Sequence, residues 1–393
     1  MNTLSNKPSR FCDIAHHQRC QSILHAMKRT SETSPTRYNL RTKRTKPMDP
    51  IAVQQKLLDI QSSSASSHQQ DQSPLFAIIP PEIRSQIFSL ALTQCEDTSI
   101  EYDQDTCYKR PGYLAPKKTY TDLLRTCKRV YHEAWFMPWS NAEHVFYFAW
   151  DSRKPPGTIE PMQMHDHLWR IFELRDQEPD EIEYARIFAQ LCELEHGNRF
   201  RDLCDIAFFK PRRMSITIRH TDFWNWESNQ PMRIRGDWIQ QASLPDSVRE
   251  VSIDFESTIQ RQDQVDFLAD KAASLWYFKR KDDALLVADP EEKISMRWSG
   301  SSTWEGQRWT EYEARPNEID YYVRTIKFKI QPELDEDDLK DHDQGARISF
   351  VQEAGIENDG QGENLEEESE PEEEDDDDMT DEEYFRRFQP EYL

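Results

Sequence analysis

Charge is distributed very unevenly along the chain of 393 residues, and this limits the region that can form a folded core. Residues 1–73 carry 11 basic and 5 acidic side chains, residues 74–332 carry 34 and 42, and residues 333–393 carry 4 and 26. The net charge of −24 therefore belongs mainly to the C-terminal segment. Low hydrophobicity at both ends predicts a disordered basic tail over 1–73, a folded domain over 74–332 and a disordered acidic tail over 333–393.

Aromatic residues support the same division, since all 11 Trp lie between Trp135 and Trp309. The chain has only 10 Gly, so it offers little material for glycine-rich phosphate-binding loops. No apolar run approaches the length of about 18 residues that a membrane-spanning helix needs. The seven cysteines are scattered and lack the paired spacing of zinc or redox motifs. We therefore expect an intracellular protein with reduced thiols, nuclear or cytoplasmic.

Apolar residues recur at intervals of three and four in several segments, which predicts helices. The clearest helix begins at Pro81, a residue suited to a first helical turn, and ends at Thr93. Another begins at the N-cap residue Thr121 and ends before Pro138. Further helices are predicted over Glu181–Glu195, Asn198–Phe209 and Gln262–Lys281. The segment Cys95–Tyr120 contains Pro and Gly without such a pattern, so we expect an ordered but irregular loop.

From residue 214 onward the period changes to two, which indicates strands. Apolar and polar residues alternate over Met214–Arg219, Val251–Glu256 and Ile326–Ile330. This alternation is typical of antiparallel sheets that have one face in water. Helices followed by strands favour an α+β fold, with an N-terminal helical element and a mostly antiparallel sheet covered by packed helices.

Two short segments resemble the two halves of an F-box. The first, Ile79–Arg84, has the apolar-Pro-x-Glu-Ile pattern that opens the first F-box helix, although Ile79 stands where Leu is usual. The second, Leu123–Ala134, has the Leu-Leu-x-Thr-Cys-x-x-x-Tyr-x-Glu-Ala pattern of F-box-like fungal domains, and Cys95–Tyr120 is inserted between the two. Three blocks, Arg110–Gly112, His220–Trp224 and Gly300–Gly306, resemble a family of uncharacterised proteins of filamentous fungi that has no established activity.

The resemblance implies that the first helix binds a partner protein, which for an F-box is an Skp-type ubiquitin-ligase adaptor. The residues expected to bind the partner are Pro80, Pro81, Ile83, Ile87 and Leu90. Ile83, Ile87 and Leu90 form an apolar stripe that needs a covering surface. A partner is one explanation of the stripe, and internal packing against Leu123–Ala134 is the other. The spacing alone favours internal packing, because such stripes usually belong to a core.

The sequence thus predicts a non-enzymatic protein-interaction module, an F-box-like substrate receptor or scaffold that uses residues 140–332 for recognition. The alternative is an acidic-tailed nuclear or chromatin-associated factor that binds basic proteins through 353–383, where 18 of 31 residues are acidic. A basic run in the N-terminal tail fits an import signal that importin would bind: Arg37, Arg41, Lys43, Arg44 and Lys46. No membrane partner is predicted.

Sequence motifs typical of catalytic or metal-binding sites are few. Cys192, His196 and Cys204 lack the fourth ligand that zinc needs, so neither a metal nor another cofactor is predicted. His220 and Asp222 stand two apart at a strand end and would share a face, which makes an acid/base pair the third, enzymatic hypothesis, although a structural role is favoured. Tryptophans and arginines alternate in two stretches that could stack single-stranded nucleic acid, but acidic neighbours favour core packing instead: Trp224, Trp226, Trp238, Trp298, Trp304 and Trp309.

Overall fold

The computed structural model describes residues 70–166, 181–196, 198–304, 306–331 and 339–350. The helices are α1 (Pro74–Ala77), α2 (Pro81–Ala91), α3 (Lys128–Ala134), α4 (Met137–Ser140), α5 (Leu191–Glu195), α6 (Arg199–Cys204), α7 (Asp237–Gln240) and α8 (Gln262–Leu275). Residues 161–166 are also helical, and single 3₁₀ turns include Asp122–Arg125, His220–Asp222 and Ile259–Arg261. The basic run at 37–46 and the acidic run at 353–383 lie outside the described residues, so the hypotheses that rest on them stay predictions.

The strands are β1 (Gln94–Glu96), β2 (Lys117–Thr119), β3 (Glu143–Phe148), β4 (Ile182–Ala189), β5 (Pro211–Ile218), β6 (Arg233–Arg235), β7 (Glu250–Thr258), β8 (Tyr277–Lys279), β9 (Leu285–Ala288), β10 (Ile294–Ser301), β11 (Thr303–Trp304), β12 (Gln307–Arg308), β13 (Glu318–Ile330) and β14 (Arg347–Ser349). Within the described part of the chain, the largest sheet has eight strands in the order β3-β4-β5-β7-β13-β9-β8, and β10 also pairs with β13. Helices and strands are both abundant, as expected for an α+β fold.

The sheet is mixed, and the prediction of a mostly antiparallel sheet was wrong for its first half. Strands β3, β4, β5 and β7 run parallel, whereas β13 pairs antiparallel with β7, β9 and β10. The main cause of the error is β4, which occupies most of the helix predicted over Glu181–Glu195. Both faces of this strand are covered, so its sequence lacks the alternation that identifies a half-exposed strand.

The two faces of the sheet have opposite chemistry. One face is apolar, with Ile187, Ile216 and Ile253 fully buried in the main core, and α8 packs against it through Val265 and Leu268. The other face carries the polar residues of the same strands. These residues were expected to face water, but many are covered by the loop that follows β1. The alternation was therefore predicted correctly, and the exposure of the polar face was not.

The segment Cys95–Tyr120 provides this cover. Its ends pair as β1 and β2, which closes the insertion at its base, and the chain between them is largely irregular, as expected. Tyr113 lies edge-on against Phe188, with ring centroids 5.0 Å apart, and its hydroxyl donates a hydrogen bond to Glu143. Beneath the loop, Arg186 donates to Glu143 at 3.1 Å and to Asp254 at 3.0 Å. The insertion thus closes over ion pairs on the sheet.

Packed structure continues beyond residue 332, where the sequence placed the end of the folded domain. Strand β14 pairs antiparallel with β6, so that Ile348 lies opposite Ile234, and both side chains are buried in the main core. Phe350 lies against Phe267 of α8, with ring centroids 5.5 Å apart. The boundary prediction failed because β14 is a three-residue strand with a single apolar residue, Ile348, within an acidic context.

Candidate functional site

Helix α2 leaves an apolar face in water. Ile83, Ile87 and Leu90 are 45, 39 and 77% exposed, and the preceding Ile78 is 77% exposed. Pro80 and Pro81, at the start of the helix, are exposed as well. All five residues predicted to bind a partner are therefore accessible, and the interpretation in which α3 covers the stripe was wrong for these side chains.

The opposite side of α2 is the one that packs inside the molecule. Phe88 and Leu92 form a small core with Val130 and Ala134 of α3, separate from the main core. The prediction for the second helix needs correction: Thr121 precedes a 3₁₀ turn, and α3 begins after Cys127, whose Sγ accepts a hydrogen bond from the Val130 amide. The side chains that stabilise α2 and the side chains that it exposes are therefore different sets.

An ion pair joins the two segments that carry the F-box resemblance. The Arg84 guanidinium donates from Nε and Nη2 to the two oxygens of Glu133, at 2.9 and 3.0 Å, and from Nη1 to the Ile79 carbonyl at 2.8 Å. Burial opposes ionisation of Glu133, but hydrogen bonds from Arg84 and Arg129 hold its pKa below the ordinary value. The two segments thus form one helical element although Cys95–Tyr120 separates them in sequence, because β1 and β2 bring the ends of the insertion together.

A second candidate site is a cavity of about 420 Å³ beside the carboxyl ends of β5 and β7. Residues from three segments line it: Arg110–Gly112, His220–Trp224 and Gly300–Gly306 each contribute. These are the blocks that the sequence singled out, and they are far apart along the chain. Ligands of sheets with parallel strands commonly bind at this edge.

The predicted His220–Asp222 pair does not form. Both residues lie in a 3₁₀ turn, where residues two apart point in different directions, and not at the end of a flat strand. Asp222 accepts hydrogen bonds from Nε and Nη2 of Arg219, at 2.6 and 3.0 Å, while Nδ1 of His220 lies 3.0 Å from the Ser257 hydroxyl. His220 is buried among Trp226, Trp304 and Tyr312, and burial lowers its pKa to about 3. The imidazole is neutral at physiological pH and has no carboxylate partner.

The buried charges around the cavity are paired. Arg110 reaches Glu256 at 2.8 Å, and Trp298 Nε1 donates to the same carboxylate at 3.0 Å. Burial raises the pKa of Glu256, and Arg110 and Trp298 act against that rise. No sequence pattern indicated the Arg110–Glu256 pair, since Glu256 occupies a position expected to face water.

The tryptophan stretches form an aromatic wall at the cavity. Trp298 stacks on Tyr321 with ring centroids 4.3 Å apart, and Trp226 and Trp304 belong to the same buried cluster. Gly300 makes this stack possible, because a Cβ there would lie 2.6 Å from the Trp298 ring. Trp238 is buried in the main core. The expectation of core packing is confirmed for Trp226, Trp238 and Trp304.

Among the residues that the structure describes, no three His, Cys, Asp or Glu side chains lie together in a way that could hold a metal ion. None of the described helices combines the length and the apolar character needed to cross a membrane. Comparisons of the chain with family models, with curated proteins and with solved structures find no match in any of the three. The candidate sites therefore rest on their own geometry.

Proposed function

We propose that this protein is a non-enzymatic interaction module of F-box-like type, in which α2 binds an Skp-type adaptor and the sheet domain serves as substrate receptor or scaffold. The contact surface consists of Pro80, Pro81, Ile83, Ile87 and Leu90. The observation that carries the proposal is the exposure of the last three side chains, at 45, 39 and 77%. Contiguous apolar side chains in water are a cost that binding of a partner removes.

The architecture around α2 supports a binding role. Arg84 and Phe88 fix the inner side of the helix against α3, so the outer side is held in place before a partner arrives. A preformed helix face loses little conformational entropy on binding. The insertion Cys95–Tyr120 lies on the polar face of the sheet and leaves the helix face accessible.

The direct test is the affinity of the full chain for a purified Skp-type adaptor, measured by isothermal titration calorimetry. Ile87→Asp places a charge in the middle of the contact and should weaken binding by at least about a hundredfold, since a desolvated unpaired charge costs several kcal/mol. The matched control is Ser85→Asp, which adds the same charge to an exposed position of α2 that does not belong to the apolar stripe. Neither variant should change the melting temperature.

Two outcomes would reject the proposal. One is the absence of binding by the wild-type chain at adaptor concentrations of about 100 μM, a level at which even transient complexes form. The other is equal affinity of Ile87→Asp and Ser85→Asp for the adaptor.

A further inference from the structure

The cavity beside β5 and β7 has the size and lining of a small-molecule site. Its volume of about 420 Å³ lies in the range that ligand pockets occupy, roughly 300 to 1,000 Å³. Its lining mixes apolar side chains, among them Leu114, Trp298 and Trp304, with polar ones such as Gln104, Ser299 and Asn317. Pockets of this kind hold a ligand by apolar contact and use a few polar groups to orient it.

Each charged side chain of the wall already has a partner, and Lys109 and Glu318 pair with Glu101 and Arg315, which lie outside the lining. Arg219 directs its guanidinium N–H groups to Asp222 and to the backbone carbonyls of Cys107 and Arg153. Arg110 reaches both oxygens of Glu256. A charged ligand would lose part of its hydration without gaining a dedicated counter-ion from either pair, which is costly. The cavity therefore favours an uncharged ligand.

Two buried polar atoms of the wall have no hydrogen-bond partner: Nε2 of His220 and the hydroxyl of Thr221. Both side chains line the cavity, and their residues are 1 and 6% exposed. An unpaired buried polar group costs about 1–3 kcal/mol, so a ligand that bonds with one gains that energy back. A molecule with one or two hydroxyls on an apolar frame matches their number.

We propose that this cavity is a binding site for an uncharged aromatic alcohol, whose ring packs between Leu114 and the Trp298–Trp304 wall and whose hydroxyl bonds with His220 Nε2 or Thr221 Oγ1. The site is independent of the α2 surface. Loss of adaptor binding and loss of ligand binding are therefore separate results.

Three probes of nearly equal size test whether the ligand is uncharged: naphthylmethanol, naphthoate and naphthylmethylamine, which are neutral, anionic and cationic at pH 7. Calorimetric titration of the full chain should give a dissociation constant of about 0.1 to 1 mM for naphthylmethanol, a normal value for a ligand of this size. The two ions should bind at least about tenfold more weakly.

Two substitutions locate the binding. Leu114→Trp, at an exposed residue of the cavity wall, should fill the space and abolish naphthylmethanol binding, whereas Ile100→Trp in the same insertion lies outside the lining and should leave it unchanged. Thr221→Val removes an unpaired hydroxyl without changing the shape of the side chain. It should weaken binding about three- to tenfold and leave the melting temperature equal or higher, because an unsatisfied buried group has been removed.

Undetectable binding of naphthylmethanol at 5 mM, roughly five times the weakest expected constant, would overturn the proposal. Equal affinity for the three probes would overturn the inference that the ligand is uncharged. An unchanged dissociation constant for naphthylmethanol in Leu114→Trp would overturn the location of the site, because the alcohol would then bind elsewhere.

Discussion

Helix α2 and the polar face of the sheet both depart from the usual pattern, in which apolar side chains are buried and charged side chains are exposed. The helix exposes Ile83, Ile87 and Leu90 to water, whereas the sheet buries the charged side chains of Arg219 and Glu256. The insertion Cys95–Tyr120 contributes to the burial of the charged face, through Tyr113 on Glu143 and Arg110 on Glu256. The comparison teaches that the buried charges of the sheet's polar face are paired within the chain, whereas the apolar face of α2 is left exposed, which is the basis of the proposal that a partner covers it.

The largest effect is expected where a buried ion pair is broken. Arg219→Met keeps much of the side-chain volume but leaves Asp222 without its partner, and both charged groups are almost fully buried. The free energy of unfolding should fall by about 3–5 kcal/mol, measured by urea denaturation. A loss below 1 kcal/mol, the level of a surface ion pair, would mean that this face is wetter than the contacts indicate.

Neighbouring residues of α2 should differ almost as strongly. Phe88→Ala empties the small core between α2 and α3 and should cost about 3 kcal/mol, whereas Ile87→Ala should change stability by less than about 0.5 kcal/mol. Thermal and urea denaturation of the two variants provide the comparison. Similar losses in both would contradict the division of the helix into an inner, packed side and an outer, free side.

Lowering the pH should have a smaller effect on the free energy of unfolding. The folded chain holds the pKa of His220 near 3 by burial, while the unfolded chain restores the ordinary value of about 6.5. The unfolded state therefore binds more protons below that value, so the stability contributed by neutral His220 is present above pH 6.5 and is lost as pH falls toward 3. Between pH 7 and pH 5 this loss amounts to about 1–2 kcal/mol.

His220→Gln isolates this contribution. Burial also lowers the pKa of His144 and raises the pKa of Glu256, and these groups titrate in both proteins. The difference in unfolding free energy between wild type and His220→Gln, measured by urea denaturation at each pH, should therefore shrink from pH 7 to pH 5. A constant difference would show that His220 is accessible to protons in the folded state.

The smallest effect is expected at an exposed ion pair on the same strand that leads to Arg219. Arg213 of β5 reaches Glu183 at 2.6 Å, but both side chains are about half exposed. Arg213→Met should change the free energy of unfolding by no more than about 1 kcal/mol. A larger loss would place Arg213 among the buried charges and remove the contrast with Arg219→Met.

The sequence predicted the parts of the fold whose patterns are local. Helix α2 begins at Pro81 as expected, because proline and the spacing of Ile83, Ile87 and Leu90 are local signals. Strand β4 was missed, since Arg186 is covered by ion pairs with β3 and β7 and by the Tyr113 ring of the insertion, which no local pattern reveals. The spacing of Ile83, Ile87 and Leu90 favoured internal packing, but these side chains are exposed, because exposure depends on how the rest of the chain packs around the helix.

The cavity was only partly foreseeable. His220, Trp298 and Trp304 were noticed as unusual residues, but their convergence requires the parallel order of β5 and β7, which the alternation of Met214–Arg219 and Val251–Glu256 did not reveal. Asp222 was assigned to the wrong partner. The 3₁₀ turn that directs it to Arg219 is stabilised by the pair itself.

The central claim is that the outer side of α2 is the surface that a partner covers. Hydrogen–deuterium exchange of the full chain, with and without a saturating Skp-type adaptor, measures this directly, because exchange at exposed helices slows when a partner covers them. The peptide that contains Pro81–Ala91 should exchange at least about tenfold more slowly in the complex, while peptides from β5 and β7 should be unchanged. Equal exchange of the α2 peptide in the two samples, or slowing confined to the sheet, would contradict the account.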